Sequence, residues 1–194
     1  PNYRAAVARS AKQPASPPWP LVRLIRVSHT GHGFEVARLR PAARAAAPAL
    51  ALDLGAVGKG FALDCARAIL KDWGVDNGLL HAGTSTALGA GPGPEKKKGT
   101  QGWPVGAGST AGSTVGPDRV HLQNGALSGS GTEVKGEHVV DPRTGRPARG
   151  HRAAWALHAS AAAADALSTA FMVMRTNEVA EFCARHPEAG ALVK

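Results

Sequence analysis

The stretch Ala164-Asp165-Ala166-Leu167-Ser168-Thr169-Ala170 lies in a helical pattern near the end of the 194-residue chain. The spacing i, i+3, i+4, i+7 predicts a buried helix face made of Leu167, Ala170, Phe171 and Met174. Asp165 and Thr169 are four residues apart, so they share a face, and we expect this face to point away from the packing face. Such hard oxygen ligands suit Mg²⁺. The alternative, which spacing does not exclude, is that Thr169 donates to a helix carbonyl and Asp165 is only solvated.

A second polar segment, HVVDPRTGRP at 138–147, precedes this helix. Two prolines that lack a backbone donor, an aspartate that can bond to its own backbone, and a glycine that tolerates positive φ predict a strand that ends in a sharp turn. His138 is therefore expected beside a rigid corner.

Length and composition indicate one sizeable core, since 43% of the residues are hydrophobic. No apolar run approaches the ~20 residues that span a bilayer, and no secretory signal pattern is visible, so we expect no membrane span. Cys65 and Cys183 fall among apolar neighbours in helical patterns, and we predict that both are core residues.

The net charge of +9 is concentrated in the first fifty residues, which hold eight Lys or Arg and one acid, Glu35. This segment shows no recognised nucleic-acid motif and few aromatic residues for stacking on bases. We therefore expect a solvated basic arm and no specific nucleic-acid partner, although adventitious polyanion binding is compatible with the charge.

Hydrophobic patterning divides the chain at residues 48 and 49. Residues 1–48 form a basic Ala/Pro-rich segment with a possible hairpin, Leu21–Val27 and Phe34–Leu39, around Gly31-His32-Gly33. Residues 49–194 form the main domain, which begins with a buried strand at Ala49–Leu54 and a glycine-rich turn.

In the main domain, a helix marked by Phe61, Cys65 and Ile69 is predicted to end at Gly74. Helices are also predicted near 160–175 and 177–186, and strands at Gly78–Ala82, Trp103–Gly106, Arg119–Leu122, His138–Asp141, Ala153–Ala159 and Ala189–Val193. Because helices and strands are interspersed without regular alternation, the predicted class is α+β, with a mixed or antiparallel sheet flanked by helices.

The segment DLGAVGKGFALD at 53–64 resembles the D-L-G-G-x-A-K-G-Y-A-x-D motif of the ApbE family, the FAD:protein FMN transferases. Further segments follow in the order of that family, and each resembles one of its motifs: Gly74 to Gly83, Trp103 to Gly106, Ser130-Gly131, His138 to Pro147 and Ala164 to Ala170. The last two motifs are the specific ones.

The resemblance implies an Mg²⁺-dependent transferase that cleaves FAD, attaches FMN through a phosphoester to a threonine of a partner flavoprotein, and releases AMP. It assigns the metal to the Gly58 carbonyl, Asp165 and Thr169. It assigns FAD binding to Lys59, Asp64, Ser130, Gly131, His138 and Asp141. His138 is also the candidate base for the acceptor hydroxyl, because a near-neutral imidazole can accept its proton.

For three of these residues the sequence leaves a structural alternative open: a surface lysine for Lys59, a helix-face acid for Asp64, and a histidine bonded to the turn for His138. The chain also departs from the family. Its flavin-contacting G-G-x-F-D-P-T-like segment is not found here, and HAGTS at 81–85 stands in place of N-A-G-G-D.

We therefore expect the C-terminal portion of an ApbE-like domain. Alternative functions are a non-catalytic or truncated FAD-binding homologue, an FAD pyrophosphatase in which water replaces the threonine, and a basic polyanion-binding protein. ApbE proteins are often periplasmic or inner-membrane lipoproteins, but no export signal is visible, so the localisation of this chain stays unassigned.

Overall fold

The computed structural model describes residues 25–31, 33–39, 53–94, 101–107, 119–132 and 138–194. The chain divides into two compact units: Pro1–Asp53 with Asp141–Arg146, and Leu54–Val140 with Pro147–Lys194. The domain boundary at 48 and 49 stays a prediction. Within the described part of the chain, no helix is both long enough and apolar enough to cross a membrane.

The first unit contains an antiparallel hairpin of β1 (Ile25–Thr30) and β2 (Gly33–Arg38), with Ile25 opposite Arg38 and Thr30 opposite Gly33. This confirms the predicted hairpin from residue 25 onward, and the earlier part of its first strand lies outside the described residues. Of the predicted strand at Ala49–Leu54, residues 49–52 also lie outside them, and Asp53 and Leu54 are not in a strand.

The second unit begins with helix α1 (Gly58–Asp72), which ends as predicted: the Gly74 N–H donates to the Lys71 carbonyl and Gly74 has φ of +76°. Strands follow at β3 (Gly78–Ala82), β4 (Thr86–Ala90), β5 (Trp103–Val105), β6 (Val120–Leu122) and β7 (Gly125–Gly131). Beyond the short hairpin of β8 (Val140–Asp141) and β9 (Arg146–Pro147) come β10 (Ala153–His158), α2 (Ala161–Val173), α3 (Thr176–Arg185) and β11 (Gly190–Val193).

Five strands form the main sheet in the order β11-β10-β7-β4-β3, and every neighbouring pair is antiparallel. The α+β prediction is therefore confirmed. Two inner strands, β4 (TALGA) and β7 (GALSGSG), were not predicted. They consist mainly of small residues and glycines, and Thr86 is their one β-branched residue. They also lack polar–apolar alternation, because the sheet is covered on both faces here.

The two faces of the sheet bury different clusters. On one face, Leu63 of α1 packs with sheet residues Leu88 and Ala126 and with Ala161 and Ala164 of α2. On the opposite face, Leu122 of β6 packs with Ala87 and Leu127. Helices α1 and α2 thus lie on one side of β4 and β7, and the paired strands β5 and β6 lie on the other.

The buried face of α2 differs from the prediction. It consists of Ala161, Ala164, Asp165, Ser168, Phe171 and Met172, whereas Ala170 is exposed. The predicted orientation of Asp165 away from the packing face was therefore wrong. Helix α2 contacts both the sheet and α1, so its buried arc is wider than a single apolar stripe and includes a carboxylate that finds polar partners.

The residues that predicted α1 from the sequence lie on its exposed face and not in the core. Phe61 is 62% exposed and Ile69 is 59% exposed, and Cys65 between them is exposed as well. The predicted core position of Cys65 was wrong, because α1 buries Gly60 and Leu63 instead. Cys183 is half-buried and packs against the cluster around Phe171.

Candidate active site

Asp165 forms the centre of the candidate site, where α2 faces the beginning of α1. Its side chain is 3% exposed, and both its oxygens accept hydrogen bonds. Lys59 Nζ lies 2.9 Å from Oδ1 and 3.2 Å from Oδ2, and the Gly60 N–H donates to Oδ2 over 3.1 Å. The helices approach this closely because residue 60 is glycine: a Cβ there would overlap the backbone carbonyl of Ala161.

Two buried hydroxyls complete the surroundings of Asp165. Ser128 Oγ donates to Oδ1 over 3.2 Å, and Thr86 Oγ1 lies 3.4 Å from the same oxygen. The two hydroxyls are 2.9 Å apart. Sequence reasoning missed both residues because they lie on the unpredicted strands β4 and β7. The available signal was the presence of hydroxyl residues within runs of small, apolar residues: Thr86 in β4, and Ser128 and Ser130 in β7.

Thr169 lies one turn along α2 from Asp165, and its hydroxyl has two neighbours. Its Oγ1 is 3.1 Å from Ser130 Oγ and 3.5 Å from the Asp165 carbonyl oxygen. The shorter contact is therefore with Ser130, although the bond back to the helix carbonyl that the sequence left open lies at the limit of hydrogen-bond length. Ser130 Oγ is also 2.9 Å from Ser168 Oγ, so β7 contacts a pair of hydroxyls on α2.

The donor chemistry at this site fits Mg²⁺. Asp165 supplies a carboxylate, Thr169 a hydroxyl and Gly58 a backbone carbonyl, all hard oxygens of the kind that Mg²⁺ prefers. Gly58 is the first residue of α1, two positions before the glycine whose N–H binds Asp165. Within the described ranges there is no cluster of three or more His, Cys, Asp or Glu side chains, and Mg²⁺ typically needs only one or two protein carboxylates. The ammonium of Lys59 supplies the positive charge beside Asp165 in this structure.

Asp64 has a structural role that sequence reasoning did not predict. From α1, its carboxylate accepts hydrogen bonds from the backbone N–H groups of Ala161 (2.8 Å) and Ala162 (3.0 Å) and from the Ser160 hydroxyl (2.7 Å). These groups form the N-terminus of α2, where an anion is favoured by unpaired N–H donors and by the helix dipole. Contact between Asp64 and a nucleotide stays a prediction.

The remaining predicted residues lie on or beside strands. Gly131 ends β7, and His138 is half-buried just before β8.

In the first unit, Asp141 Oδ1 accepts from the Arg143 backbone N–H (2.8 Å) and from Arg143 Nε (3.1 Å). Partial burial acts to raise the pKa of Asp141, but the hydrogen bonds and charge of Arg143 outweigh it, so the net pKa is lowered. Gly145, with φ of +67°, completes the predicted sharp turn.

Five antiparallel strands with α1 and α2 on one face place the buried Asp165 where α2 faces the beginning of α1. The sequence model of the ApbE family matches residues 10–193, so the chain belongs to this family. The match begins well before residue 53, where the first of the quoted motifs begins.

Known proteins agree with this assignment. A curated FAD:protein FMN transferase from Rhodobacter capsulatus is 36% identical over 141 residues, which cover 67% of this chain. The crystal structure of the ApbE protein from Thermotoga maritima is 26% identical, with a TM-score of 0.67 over 100% of this chain. The flavin transferase ApbE from Vibrio cholerae (H257G mutant) is 18% identical with a TM-score of 0.63, which shows the shared fold.

The chain spans only part of the relatives that it matches. It covers 25% of the Rhodobacter capsulatus protein, 59% of the Thermotoga maritima structure and 55% of the Vibrio cholerae mutant structure. Family and fold are therefore shared, and an activity of the complete relatives is a matter for proposal.

Proposed function

We propose that this chain contributes to an FAD:protein FMN transferase, which cleaves FAD, attaches FMN to a threonine of an acceptor flavoprotein and releases AMP. The observation that supports this most directly is the buried Asp165 carboxylate one helical turn from Thr169, in a chain that resembles an FMN transferase at 36% identity. A buried carboxylate is stable only where donors or a positive charge satisfy it. The donors around Asp165 also hold its side chain in one orientation, as a ligand for a cation requires.

In this proposal Mg²⁺ is held by the Gly58 carbonyl, Asp165 and Thr169. When bound, Mg²⁺ supplies charge neutralisation and orientation for the diphosphate of FAD. The protein groups around it keep the ligands in place. Ser128 and Thr86 hold one oxygen of Asp165, and Ser130 lies against the Thr169 hydroxyl, so the rotamers of both side chains are restricted.

The acceptor hydroxyl loses a proton during transfer, and we propose His138 as the base that accepts it. In the second unit, the proposed nucleotide contacts are Lys59, Ser130 and Gly131. Contact of Asp141 with FAD stays a prediction from the sequence. Asp64 contributes by holding the N-terminus of α2, the helix that carries Asp165 and Thr169, whether or not it also touches the nucleotide.

The test is a transfer assay with the chain, FAD, Mg²⁺ and a flavoprotein subunit that carries a candidate threonine. Covalent FMN is measured by mass spectrometry of the acceptor, and AMP by chromatography. His138→Ala should lose transfer by roughly 10²–10⁴-fold while it retains most of its affinity for FAD. The matched control is His121→Ala, an exposed histidine on β6, which should transfer FMN at the wild-type rate.

The products distinguish the proposal from its alternatives. AMP together with acceptor-bound FMN supports the transferase, whereas AMP with free FMN in equal amounts indicates an FAD pyrophosphatase. FAD binding without AMP release, in the presence of both Mg²⁺ and acceptor, would show that the chain alone is a non-catalytic FAD-binding homologue. Binding that depends steeply on salt and not on Mg²⁺ would indicate a polyanion-binding protein.

A further inference from the structure

We infer that Lys59 is a displaceable counter-ion: it occupies Asp165 when no divalent cation is bound, leaves it when the cation binds, and then pairs with a phosphate of the nucleotide. This inference rests on the proposed metal site. It adds a second function for Lys59, because the same ammonium opposes cation binding and favours anion binding.

The first argument is that the carboxylate has no unused side. Asp165 Oδ1 contacts Lys59, Ser128 and Thr86, and Oδ2 contacts Lys59 and the Gly60 N–H. A carboxylate offers about four lone-pair positions. A divalent cation can therefore bind Asp165 only if one of these partners leaves.

The second argument identifies which partner leaves. The Gly60 N–H is part of the α1 backbone, and the hydroxyls of Thr86 and Ser128 are buried, so none of these can turn to water. The Lys59 side chain is 36% exposed, on a flexible four-carbon stem. It is also the only positive charge among the five contacts, and a second cation on the same oxygens would repel it.

The third argument concerns where the ammonium goes. Lys59 is the second residue of α1, a helix with no acidic residue in its first turn. A helix N-terminus favours anions, and the ammonium reaches the Gly55 carbonyl oxygen only at 3.5 Å. Once released from Asp165, the ammonium therefore lies beside the metal in a region suited to a phosphate oxygen.

The experiment measures two affinities by calorimetry on the full chain: Mg²⁺ alone, and ADP at saturating Mg²⁺. Lys59→Gln removes the charge and keeps an amide that can donate to Asp165. It should bind Mg²⁺ at least tenfold more tightly than wild type and bind ADP at least fivefold more weakly. Lys71→Gln removes an exposed positive charge from the last turn of the same helix and should change neither affinity more than twofold.

Opposite changes in the two affinities support the inference. If Lys59 only stabilised the fold, Lys59→Gln would lower the affinity for Mg²⁺ and the affinity for ADP together. A Lys59→Gln variant that binds Mg²⁺ no more tightly than wild type overturns the inference and leaves the proposed metal site intact. If neither wild type nor variant binds Mg²⁺ at millimolar concentration, the metal site and the inference both fail.

A measurement on the wild type covers the case in which Lys59→Gln does not fold. In ¹H–¹⁵N spectra of the side-chain ammonium, the Lys59 signal should be protected without Mg²⁺ and should lose that protection as Mg²⁺ saturates. A signal that is unchanged at saturating Mg²⁺ would show that the ion pair persists, and the displacement would be refuted.

Discussion

Replacing Gly60 with alanine tests how the site is built. The added Cβ would overlap the Ala161 carbonyl and lie 2.6 Å from the Ala162 nitrogen. These are backbone atoms at the start of α2, so no side-chain rotation relieves the clash. Overpacking typically costs about 1–3 kcal/mol, and we expect the upper end here, which lowers the melting temperature of a domain of this size by roughly 6–12 °C.

The substitution should also weaken Mg²⁺ binding, since the Gly60 N–H donates to Asp165 and moves with α1. Gly58→Ala is the matched control on the same helix. A Cβ there has no neighbour within 4 Å, and the Gly58 carbonyl is retained. Alanine favours a helix over glycine by up to about 1 kcal/mol, so Gly58→Ala should be neutral or slightly stabilising. A Gly60→Ala protein that melts within about 2 °C of wild type would refute the close packing of α1 on α2.

Three further outcomes are expected. Asp64→Ala should lower the unfolding free energy in urea by about 0.5–2 kcal/mol, because it removes the acceptor for the α2 N-terminus; an unchanged midpoint would contradict that role. With a thiol reagent at pH 8, exposed Cys65 should react rapidly and Cys183 slowly, because burial raises the pKa of the Cys183 thiol; Cys65→Ser should lose the fast phase, and equal rates in wild type would contradict this. Arg143→Gln should raise the pKa of Asp141 toward its ordinary value of 3.8 in a carboxyl NMR titration. Since the folded pKa of Asp141 is lowered, its contribution to stability is present above the unfolded pKa and lost as pH falls through the folded pKa, so the variant should lose less stability on acidification, and an unmoved midpoint would exclude Arg143 as the cause.

Local patterns predicted those elements whose signals are local. The end of α1 at Gly74 and the turn at Asp141 both follow from glycine and proline residues within one short window. Such signals act over a few residues and need no knowledge of the neighbours.

The two strands that were not predicted, β4 and β7, show the limit of prediction from local sequence patterns. Strands β4 and β7 consist of small residues, and their burial depends on α1 and α2 on one face and on β6 on the other. At Gly89, a Cβ would lie 2.7 Å from the Leu122 Cβ, so this glycine reflects contact with a strand more than thirty residues away. A short sequence window around Gly89 does not include Leu122, so local patterns cannot predict this contact.

The sequence by itself determined the family, the α+β class and the identity of Asp165 and Thr169 as candidate ligands. Only the tertiary structure decided that Asp165 is buried, that Lys59 and two strand hydroxyls bind it, and that Asp64 holds the N-terminus of α2. The physical reason is that a carboxylate can be buried only where donors from distant segments converge on it, and that convergence depends on how the helices and the sheet pack.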